Sequence, residues 1–175
     1  TAITHRKDAI FHTALTGLPT TDNHVLKMIP MEASCYAFLK QRFPGVKKVH
    51  FHGAGGVGLL AIVAMQQHTK YEARNMLATM LSAQGTKVVI AVDEDVDVFD
   101  LDKVMWAVCT RSQAARDLII LPRTAAFQLD PSAPERGVLT TMGIDATKPY
   151  GEVFDDVVLV PGAGQLPDIL KLWKK

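Results

Sequence analysis

Three glycines in the stretch HGAGGVG have the spacing of a nucleotide-binding fingerprint. Gly53, Gly55 and Gly58 follow G-x-G-x-x-G, the pattern that lets a backbone approach the pyrophosphate of a dinucleotide. That fingerprint also needs a helix directly after the glycines and a second strand that ends in an acid about 20 residues on. Here the apolar run of residues 59–65 comes next, which favours a strand, and a helical pattern follows it. The glycines therefore indicate a turn between two strands more than a dinucleotide site.

Acidic residues in the middle of the chain have part of the spacing of a calcium-binding loop. Asp93, Asp95 and Asp97 stand where positions 1, 3 and 5 of an EF-hand loop would be. Position 6 is Val98, where a glycine is needed, and position 12 is Val104, where a bidentate glutamate is needed. A predicted strand precedes the acids, whereas an EF-hand loop follows a helix. The acids therefore favour a solvated turn that caps a helix.

The remaining reactive residue types form no recognisable catalytic or metal-binding set. His50 and His52 lie on one side of a predicted strand, and His24 and His68 are isolated, so three ligands with metal-site spacing do not occur together. The sequence has no G-x-S-x-G turn, no P-loop lysine and no cysteine beside a basic partner. From the residues alone we predict no catalytic residue, no cofactor ligand and no metal ligand in this chain.

The acidic turn belongs to a predicted strand–turn–helix unit. Residues 88–92 form a continuous apolar run, rich in β-branched side chains, of the kind found in strands covered on both faces. Asp100 is placed to cap the helix that follows, and Arg111 is placed to bind carbonyl groups at its end. Apolar residues recur in this helix with the spacing of one buried stripe: Leu101, Val104, Met105, Val108 and Cys109. The unit predicts a central strand followed by a half-buried helix.

Similar patterns predict the other elements of an α/β domain. Strands are expected at residues 47–51, 59–65 and 118–121, and the last two are expected to flank the central strand. A helix is expected in the region of residues 71–81, with one buried stripe made of Ala73, Met76, Leu77, Met80 and Leu81. In the later stretch GIDATKPY, Asp145 and Lys148 are placed to form a local ion pair that fixes a loop.

Both ends of the chain look like appendages to this domain. Residues 2–5 and 9–12 are short β-like runs that resemble the last hairpin of another sheet, because two strands alone are marginally stable. Residues 23–43 have a helical pattern with a kink at Pro30. Residues 166–173 predict a short amphipathic helix, which must dock on another surface because it is too short to be stable alone.

Composition limits the class of protein. The chain has 175 residues, 48% of them hydrophobic, and a formal net charge of +1, which suits one globular domain with appendages. The charge argues against a nucleic-acid partner, and no apolar run approaches the about 18 residues of a membrane span. Two cysteines, Cys35 and Cys109, favour a reducing, cytoplasmic compartment. A start at Thr1, without methionine, is expected of a cut or processed piece.

Longer strings in the chain resemble a single enzyme family. VDEDVDVFDLDKVMWAVCTR at residues 92–111, ARDLIILP at residues 115–122 and TTMGIDATKPY at residues 140–150 are similar to the C-terminal region of UbiD-like decarboxylases, which use prenylated FMN. THRKDAIFH, FPGVKKVHF and EARNML, earlier in the chain, resemble the same family in the same order. The resemblance covers nearly the whole chain.

This resemblance implies a division of the chain into three parts. Residues 1–21 would be the terminal strands of an upstream split β-barrel that binds the cofactor, and residues 22–44 a kinked helical linker. Residues 45–175 would be a C-terminal α/β domain, in which helices flank a mixed sheet and a C-terminal helix ends the chain. The family also implies a homodimer or a higher homo-oligomer, with the C-terminal helix against a neighbouring subunit.

The same resemblance places the catalytic machinery outside this sequence. The family uses an arginine and two acids, the acids in an E-G-P-F-G-E-like stretch upstream of the THR strand, and this chain contains no such stretch. Prenylated FMN, a divalent metal and potassium are expected in the complete enzyme. We expect none of them to bind to this chain alone, and we expect the chain alone to be inactive.

Four apolar residues are the candidates for contact with a substrate. Met28 and Ile29 lie in the predicted linker, and Phe127 and Leu129 lie in FQLDP, which matches the family's substrate-pocket segment. Each pair has a simpler interpretation. Met28 and Ile29 could be packing at a helix kink, and Phe127 and Leu129 could belong to a short edge strand.

Two functions of different classes follow. The resemblance implies the C-terminal domain of a non-oxidative carboxy-lyase that decarboxylates, or reversibly carboxylates, an aromatic or α,β-unsaturated acid. This domain would shape one wall of the pocket and hold the oligomer together. The alternative is a non-catalytic assembly or binding module derived from that family. A family-type E-x-x-x-x-E motif encoded upstream of Thr1 would separate the two.

Overall fold

The computed structural model describes residues 2–11, 13–14, 17–83, 85–126 and 128–154. Within these residues, a five-stranded mixed sheet carries helices on both faces, as the sequence predicts. In chain order the elements are α1 Asp22–Arg42, β1 Val46–Phe51, β2 Leu60–Met65, α2 Glu72–Ala83, β3 Val88–Asp93, α3 Leu101–Arg111, α4 Ala114–Asp117, β4 Leu118–Ala125 and β5 Val138–Ala146. None of the described helices is both long enough and apolar enough to cross a membrane.

The central strand is β3, as predicted, but one of its neighbours differs from the prediction. The strand order is β1-β2-β3-β5-β4, so β3 pairs in parallel with β2 and β5. The predicted neighbour, β4, lies at the edge and pairs antiparallel with β5 alone. Strand β5 was not predicted from the sequence, because its apolar residues are interrupted by Thr140, Thr141, Gly143 and Asp145. Its place in the sheet is set by pairing with β3, which a local pattern does not reveal.

One face of the sheet, the α2 face, is covered by α1 and α2. The predicted stripe of α2 is confirmed, since all five of its members are buried: Ala73, Met76, Leu77, Met80 and Leu81. They pack against Ala61, Val63, Val89 and Ala91, which project from β2 and β3. Helix α1 is a single helix that includes Pro30, and its second half packs here through Cys35 and Leu39. That half of the predicted linker is therefore part of the core.

The opposite face, the α3 face, is covered only in part. Val104 and Ala107 of α3 are buried over Ile62 and Ile90, but Met105 and Cys109 of the predicted stripe are exposed. Leu101 and Val108 of the predicted stripe also pack against this core, so the buried face is centred slightly to the side of the predicted one, towards Ala107. One further row of this face pairs Leu60, Val88, Met142 and Ile120 across four strands. No member of that row is fully buried, and Ile120 is 61% exposed.

Both edge strands are irregular. Strand β1 has a register shift between Val46 and Lys48, and the Glu32 carboxylate accepts hydrogen bonds from the Phe51 backbone N–H (3.0 Å) and contacts His50 Nδ1 (2.7 Å). Strand β4 has a register shift between Leu121 and Thr124, with Arg123 at a φ of 54°. The ladder at each edge is therefore interrupted.

The structure does not test the predictions made for the two ends of the chain. Residues 2–11 are exposed and form no strand among themselves, with a turn at Lys7 and Asp8. Their assignment to an upstream barrel stays a prediction, because pairing would need strands outside this sequence. The predicted C-terminal helix, with all of residues 155–175, lies outside the described residues.

Candidate functional site

The sheet has two ends at which loops collect. Because β2, β3 and β5 are parallel, their last residues meet at one end, the carboxyl end, and their first residues at the other, the amino end. The carboxyl end gathers residues 66–71, 94–100 and 147–152. The amino end gathers the glycine loop 52–59 and the β4–β5 connection. Ligands of open α/β sheets usually bind at the carboxyl end.

The carboxyl end is held by a network of four charged side chains. Arg111 Nη1 donates to Asp93 Oδ2 (2.7 Å) and Asp95 Oδ1 (3.1 Å), and Lys148 Nζ lies 3.1 Å from Asp95 Oδ2. The backbone N–H of Lys148 donates to Asp93 Oδ2 (2.7 Å). The network joins the end of β3, the end of α3 and the segment after β5. Two predictions were wrong: Arg111 pairs with acids rather than with helix carbonyls, and Lys148 pairs with Asp95 rather than with Asp145.

Burial and charge act in opposite directions on these acids. Burial raises the pKa of Asp93, although the Lys148 amide and the Arg111 charge act to lower it. Burial also acts to raise the pKa of Asp95, but hydrogen bonds and charges from Arg111 and Lys148 lower it overall. Asp145, near the end of β5, accepts hydrogen bonds from the backbone N–H and the hydroxyl of Thr147, and burial raises its pKa.

A cavity of about 120 Å³ opens beside this network. Its wall includes Tyr71, Arg116, Asp117, Asp145, Lys148 and Tyr150. Arg116 is bidentate to Asp117, at 2.7 and 2.8 Å, and Lys148 is paired with Asp95. The Lys148–Asp95 pair joins the segment after β5 to the turn after β3, whereas Arg116 and Asp117 are consecutive residues that neutralise each other. Both cations are therefore engaged with acids of the chain, and this arrangement favours a structural role for the carboxyl end.

The glycine loop at the amino end is a compact turn, as predicted. Its backbone N–H groups are largely used inside the loop: Gly55 donates to the His52 carbonyl (3.0 Å), Gly56 to the Gly53 carbonyl (2.9 Å) and Leu59 to the Gly55 carbonyl (3.0 Å). Gly56 adopts a φ of 58°, in the left-handed region that favours glycine. Donors committed in this way do not cradle a pyrophosphate, which agrees with the interpretation as a turn between strands.

Three of the four candidate pocket residues lie in segments at the amino end. The chain just before α1 lies against the glycine loop, since a Cβ on Gly53 would be 3.5 Å from Thr20, so the first half of α1 is at this end. There Met28 is half-buried against the core, and Ile29 is 65% exposed. Leu129, in the β4–β5 connection, is 69% exposed. Phe127 lies outside the described residues, and the pocket role of all four stays a prediction.

The described residues offer no group of three or more His, Cys, Asp or Glu side chains arranged to hold a metal ion. At the amino end, Lys87 could attract a phosphate, but its ammonium group lies 2.7 Å from Asp130 Oδ2. This contact was not predicted, because the two residues are distant in sequence. The local sequence offered one indication of the contact, which is that Asp130 and Ser132 are residue types that favour a tight turn. We assign no cofactor or metal ligand to this chain.

Several characterised enzymes are similar to this chain in sequence. Gallate decarboxylase of Lactiplantibacillus plantarum is 36% identical over 166 residues, covering 86% of this chain and 33% of that protein. Phenolic acid decarboxylase of Sedimentibacter hydroxybenzoicus is 35% identical over 149 residues, covering 84% and 31%. Anhydromevalonate phosphate decarboxylase of Methanothermobacter thermautotrophicus is 33% identical over 145 residues, covering 82% and 34%. The chain thus spans about a third of the length of these relatives.

Solved structures agree with the sequence comparison. The closed form of vanillic acid decarboxylase from Sedimentibacter hydroxybenzoicus superposes with a TM-score of 0.83 at 31% identity, covering 98% of this chain and 38% of that one. The UbiD-class enzyme HmfF from Pelotomaculum thermopropionicum, in complex with FMN, gives a TM-score of 0.75 at 36% identity, covering 83% and 34%. Residues 24–146 also match the family model of the 3-octaprenyl-4-hydroxybenzoate carboxy-lyase C-terminal domain. The chain therefore belongs to the UbiD C-terminal domain family.

Proposed function

We propose that this chain is the C-terminal domain of a prenylated-FMN-dependent carboxy-lyase. The complete enzyme would decarboxylate, or reversibly carboxylate, an aromatic or α,β-unsaturated acid. The observation that carries the proposal is the match of residues 24–146 to the family, together with relatives that decarboxylate gallate, a phenolic acid and anhydromevalonate phosphate. Because the chain spans about a third of those relatives, the catalytic acids and the arginine would lie in the remainder of the protein.

In this proposal the amino end of the sheet forms one wall of the pocket. Prenylated FMN, held with a divalent metal and potassium by other parts of the protein, would supply the electrophilic centre that activates the acid for loss of carbon dioxide. Ile29 and Leu129 carry large apolar side chains that are mostly exposed, so a covering domain and a flat apolar acid would both find free surface there. Their contribution would be to exclude water from the substrate and to orient its ring or double bond.

The proposal includes self-association in the cytoplasm. Trp106, 58% exposed, and Ile120, 61% exposed, offer apolar surface on α3 and on the sheet beside it. An evolved form of HmfF in complex with prenylated FMN is described as dimeric. Residues 1–21 would then belong to the upstream cofactor-binding domain, and the half-packed helix α1 would connect it to the sheet.

The deciding experiment uses the complete protein encoded by the gene, produced in cells that make prenylated FMN. We expect release of carbon dioxide from at least one member of a panel of aromatic and α,β-unsaturated acids, and exchange of labelled bicarbonate into that acid. The 175-residue chain, incubated with the same cofactor, should release none above background. A complete protein that holds the cofactor and turns over no acid in either direction would refute the proposal.

A variant of the complete enzyme tests the pocket wall. Leu129→Ala should raise KM several-fold or shift the order of preferred acids, because it removes apolar surface from the substrate side. Val153→Ala removes an exposed apolar side chain just after the segment 147–152, at the opposite end of the sheet, and it should change neither quantity. Equal effects of the two substitutions would show that Leu129 does not line the pocket.

The alternative is a non-catalytic assembly or binding module. The same exposed apolar side chains, Trp106 and Ile120 among them, would suit that function. The sequence upstream of Thr1 discriminates between the two: an E-x-x-x-x-E motif there supports the enzyme, and its absence supports the module.

A further inference from the structure

The loop that carries Leu129 is joined to the central strand by an ion pair whose carboxylate is shielded from solvent and whose ammonium group is partly exposed. Asp130 follows Leu129 directly, and its carboxylate is buried, with 3% of the side chain exposed. Oδ2 lies 2.7 Å from the ammonium group of Lys87, which is the residue just before β3. The loop belongs to the β4–β5 connection, so the pair links two segments that are neighbours only in the folded sheet.

The ion pair is one part of a larger set of contacts. Oδ1 of Asp130 accepts from the backbone N–H and the hydroxyl of Ser132, at 2.9 and 2.8 Å. Lys87 Nζ also donates to the Ser132 hydroxyl, at 2.6 Å. The three side chains therefore form a closed triangle, in which the carboxylate shapes the turn and the lysine binds both of its ends. We call Lys87, Asp130 and Ser132 the loop latch.

Lys87 is itself fixed. Its backbone carbonyl accepts from the Met142 N–H of β5, at 2.8 Å, and the next residue begins β3. The other described backbone hydrogen bonds of the connection are local: Ala126 N–H donates to the Gly137 carbonyl (3.0 Å), Ala133 N–H to the Asp130 carbonyl (3.2 Å) and Val138 N–H to the Glu135 carbonyl (3.0 Å). The latch therefore joins this part of the β4–β5 connection to the start of the central strand of the sheet.

An apolar side chain in place of Asp130 would fix the position of the loop less specifically than the ion pair does. A buried carboxylate tolerates few positions for its cation, since a displaced partner leaves a desolvated charge. Among the described residues, the Lys87 ammonium group, 2.7 Å away, is the group that compensates the charge on Oδ2. The latch thus restricts the backbone on the C-terminal side of Leu129 to a narrow range of positions.

We propose that Lys87 and Asp130 are positioning residues for the substrate: the latch sets where the Leu129 side chain stands in the pocket wall. This inference rests on the proposed function for its catalytic consequence, but the latch itself is a property of the chain. Neither residue touches the reacting atoms. Their loss should loosen the wall and leave the chemical step unchanged.

The test uses the complete, cofactor-loaded enzyme with Lys87→Met and Asp130→Asn. Both substitutions nearly preserve side-chain size and remove one charge. Lys87→Arg keeps the cation and serves as the conservative rescue. Lys47→Met is the matched control, because Lys47 pairs at 3.2 Å with Glu94 in an exposed contact away from the loop. Circular dichroism first confirms that each variant is folded.

Hydrogen exchange is the readout that does not depend on activity. Lys87→Met should accelerate exchange of the Ser132 and Ala133 amides, which donate to the carboxylate and to the carbonyl of Asp130, at least about tenfold, because an unpaired carboxylate drives local opening. Exchange in β2, β3 and β5 should be unchanged. Lys87→Arg should restore most of the protection, and Lys47→Met should leave the loop as in the wild type. Unchanged loop exchange in both Lys87→Met and Asp130→Asn would overturn the latch.

Kinetics then decide the positioning role. Lys87→Met and Asp130→Asn should raise KM about fivefold or more, or change the ranking of acids, while kcat stays within about twofold of the wild type. The double variant should be no worse than the poorer single variant, because the two residues act as one unit. A faster-exchanging loop with unchanged KM and ranking would refute positioning. If the wild type turns over no acid, the proposed function fails, and the exchange data still decide the latch.

Discussion

Replacement of Ile90 by alanine measures how the sheet is covered. Ile90 is 3% exposed at the centre of β3, paired with Ile62 on one side and Ile144 on the other, beneath α3. The substitution removes three carbon atoms, and at about 0.8 kcal/mol for each the transfer term alone is about 2.4 kcal/mol. A residual cavity adds to this, so the free energy of unfolding should fall by about 2 to 5 kcal/mol.

Ile120→Ala is the matched control for this substitution. Ile120 is also an isoleucine in a strand on the α3 face, but it lies in the uncovered row and is 61% exposed. Its replacement should cost less than about 1 kcal/mol in the isolated chain. The difference between the two variants therefore compares a covered central position with an uncovered edge position, with residue type and sheet face held constant.

Urea unfolding of the 175-residue chain, followed by circular dichroism, gives both values. The dependence of the free energy on urea should keep the wild-type slope in each variant, because the surface exposed on unfolding hardly changes. The reasoning would be wrong if Ile90→Ala cost less than about 1 kcal/mol, or if the two variants cost the same. Either result would place α3 away from the centre of the sheet.

Two further predictions concern titratable groups. The contact with Lys87 lowers the pKa of Asp130 below its usual value, so its stabilising effect is complete above the unfolded pKa, about 4, and is lost as the pH falls through the folded pKa. The stability difference between wild type and Asp130→Asn, measured by urea unfolding, should therefore shrink below about pH 4, and a difference that grows in acid would contradict this. Burial raises the pKa of the Cys35 thiol to about 11, whereas Cys109 is exposed. A thiol reagent at neutral pH should therefore label Cys109 quickly and Cys35 only after denaturation, and rapid labelling of both in the native chain would contradict the packing of α1.

Local patterns predicted the parts of the fold that local interactions determine. The stripe of α2, the cap at Asp100 and the continuous apolar run of β3 each require only neighbours along the chain, and all three are confirmed. Strand β5 was missed because its polar and glycine residues do not form a strand pattern by themselves. They adopt strand structure by pairing with β3 on one side and β4 on the other. The predicted stripe of α3 is correct for Leu101, Val104 and Val108 but wrong for Met105 and Cys109, because helical spacing gives the stripe but not which flank of it the sheet covers.

The site was less accessible to sequence reasoning than the fold. The pocket-wall residues came from the family resemblance, and their role is still a prediction. In the sequence, Arg111 looks like a cation that binds the carbonyl groups at the end of its helix. Its actual partners, Asp93 and Asp95, come close to it only because α3 returns to the end of β3 in the folded domain. Lys87 and Asp130 meet only once β3 and the β4–β5 connection are in place. Contacts of this kind depend on the tertiary structure and leave little trace in local spacing.

The interrupted ladders of β1 and β4 bear on how molecules of this protein associate and aggregate. A regular open edge invites a strand from another molecule, the first step towards fibrous aggregates. Here Glu32 occupies the Phe51 N–H on one edge, and the irregularity around Arg123 disturbs the other. Growth of the sheet from molecule to molecule is therefore disfavoured at both edges. The self-association proposed above would therefore use the apolar faces of the domain and not the edges of its sheet.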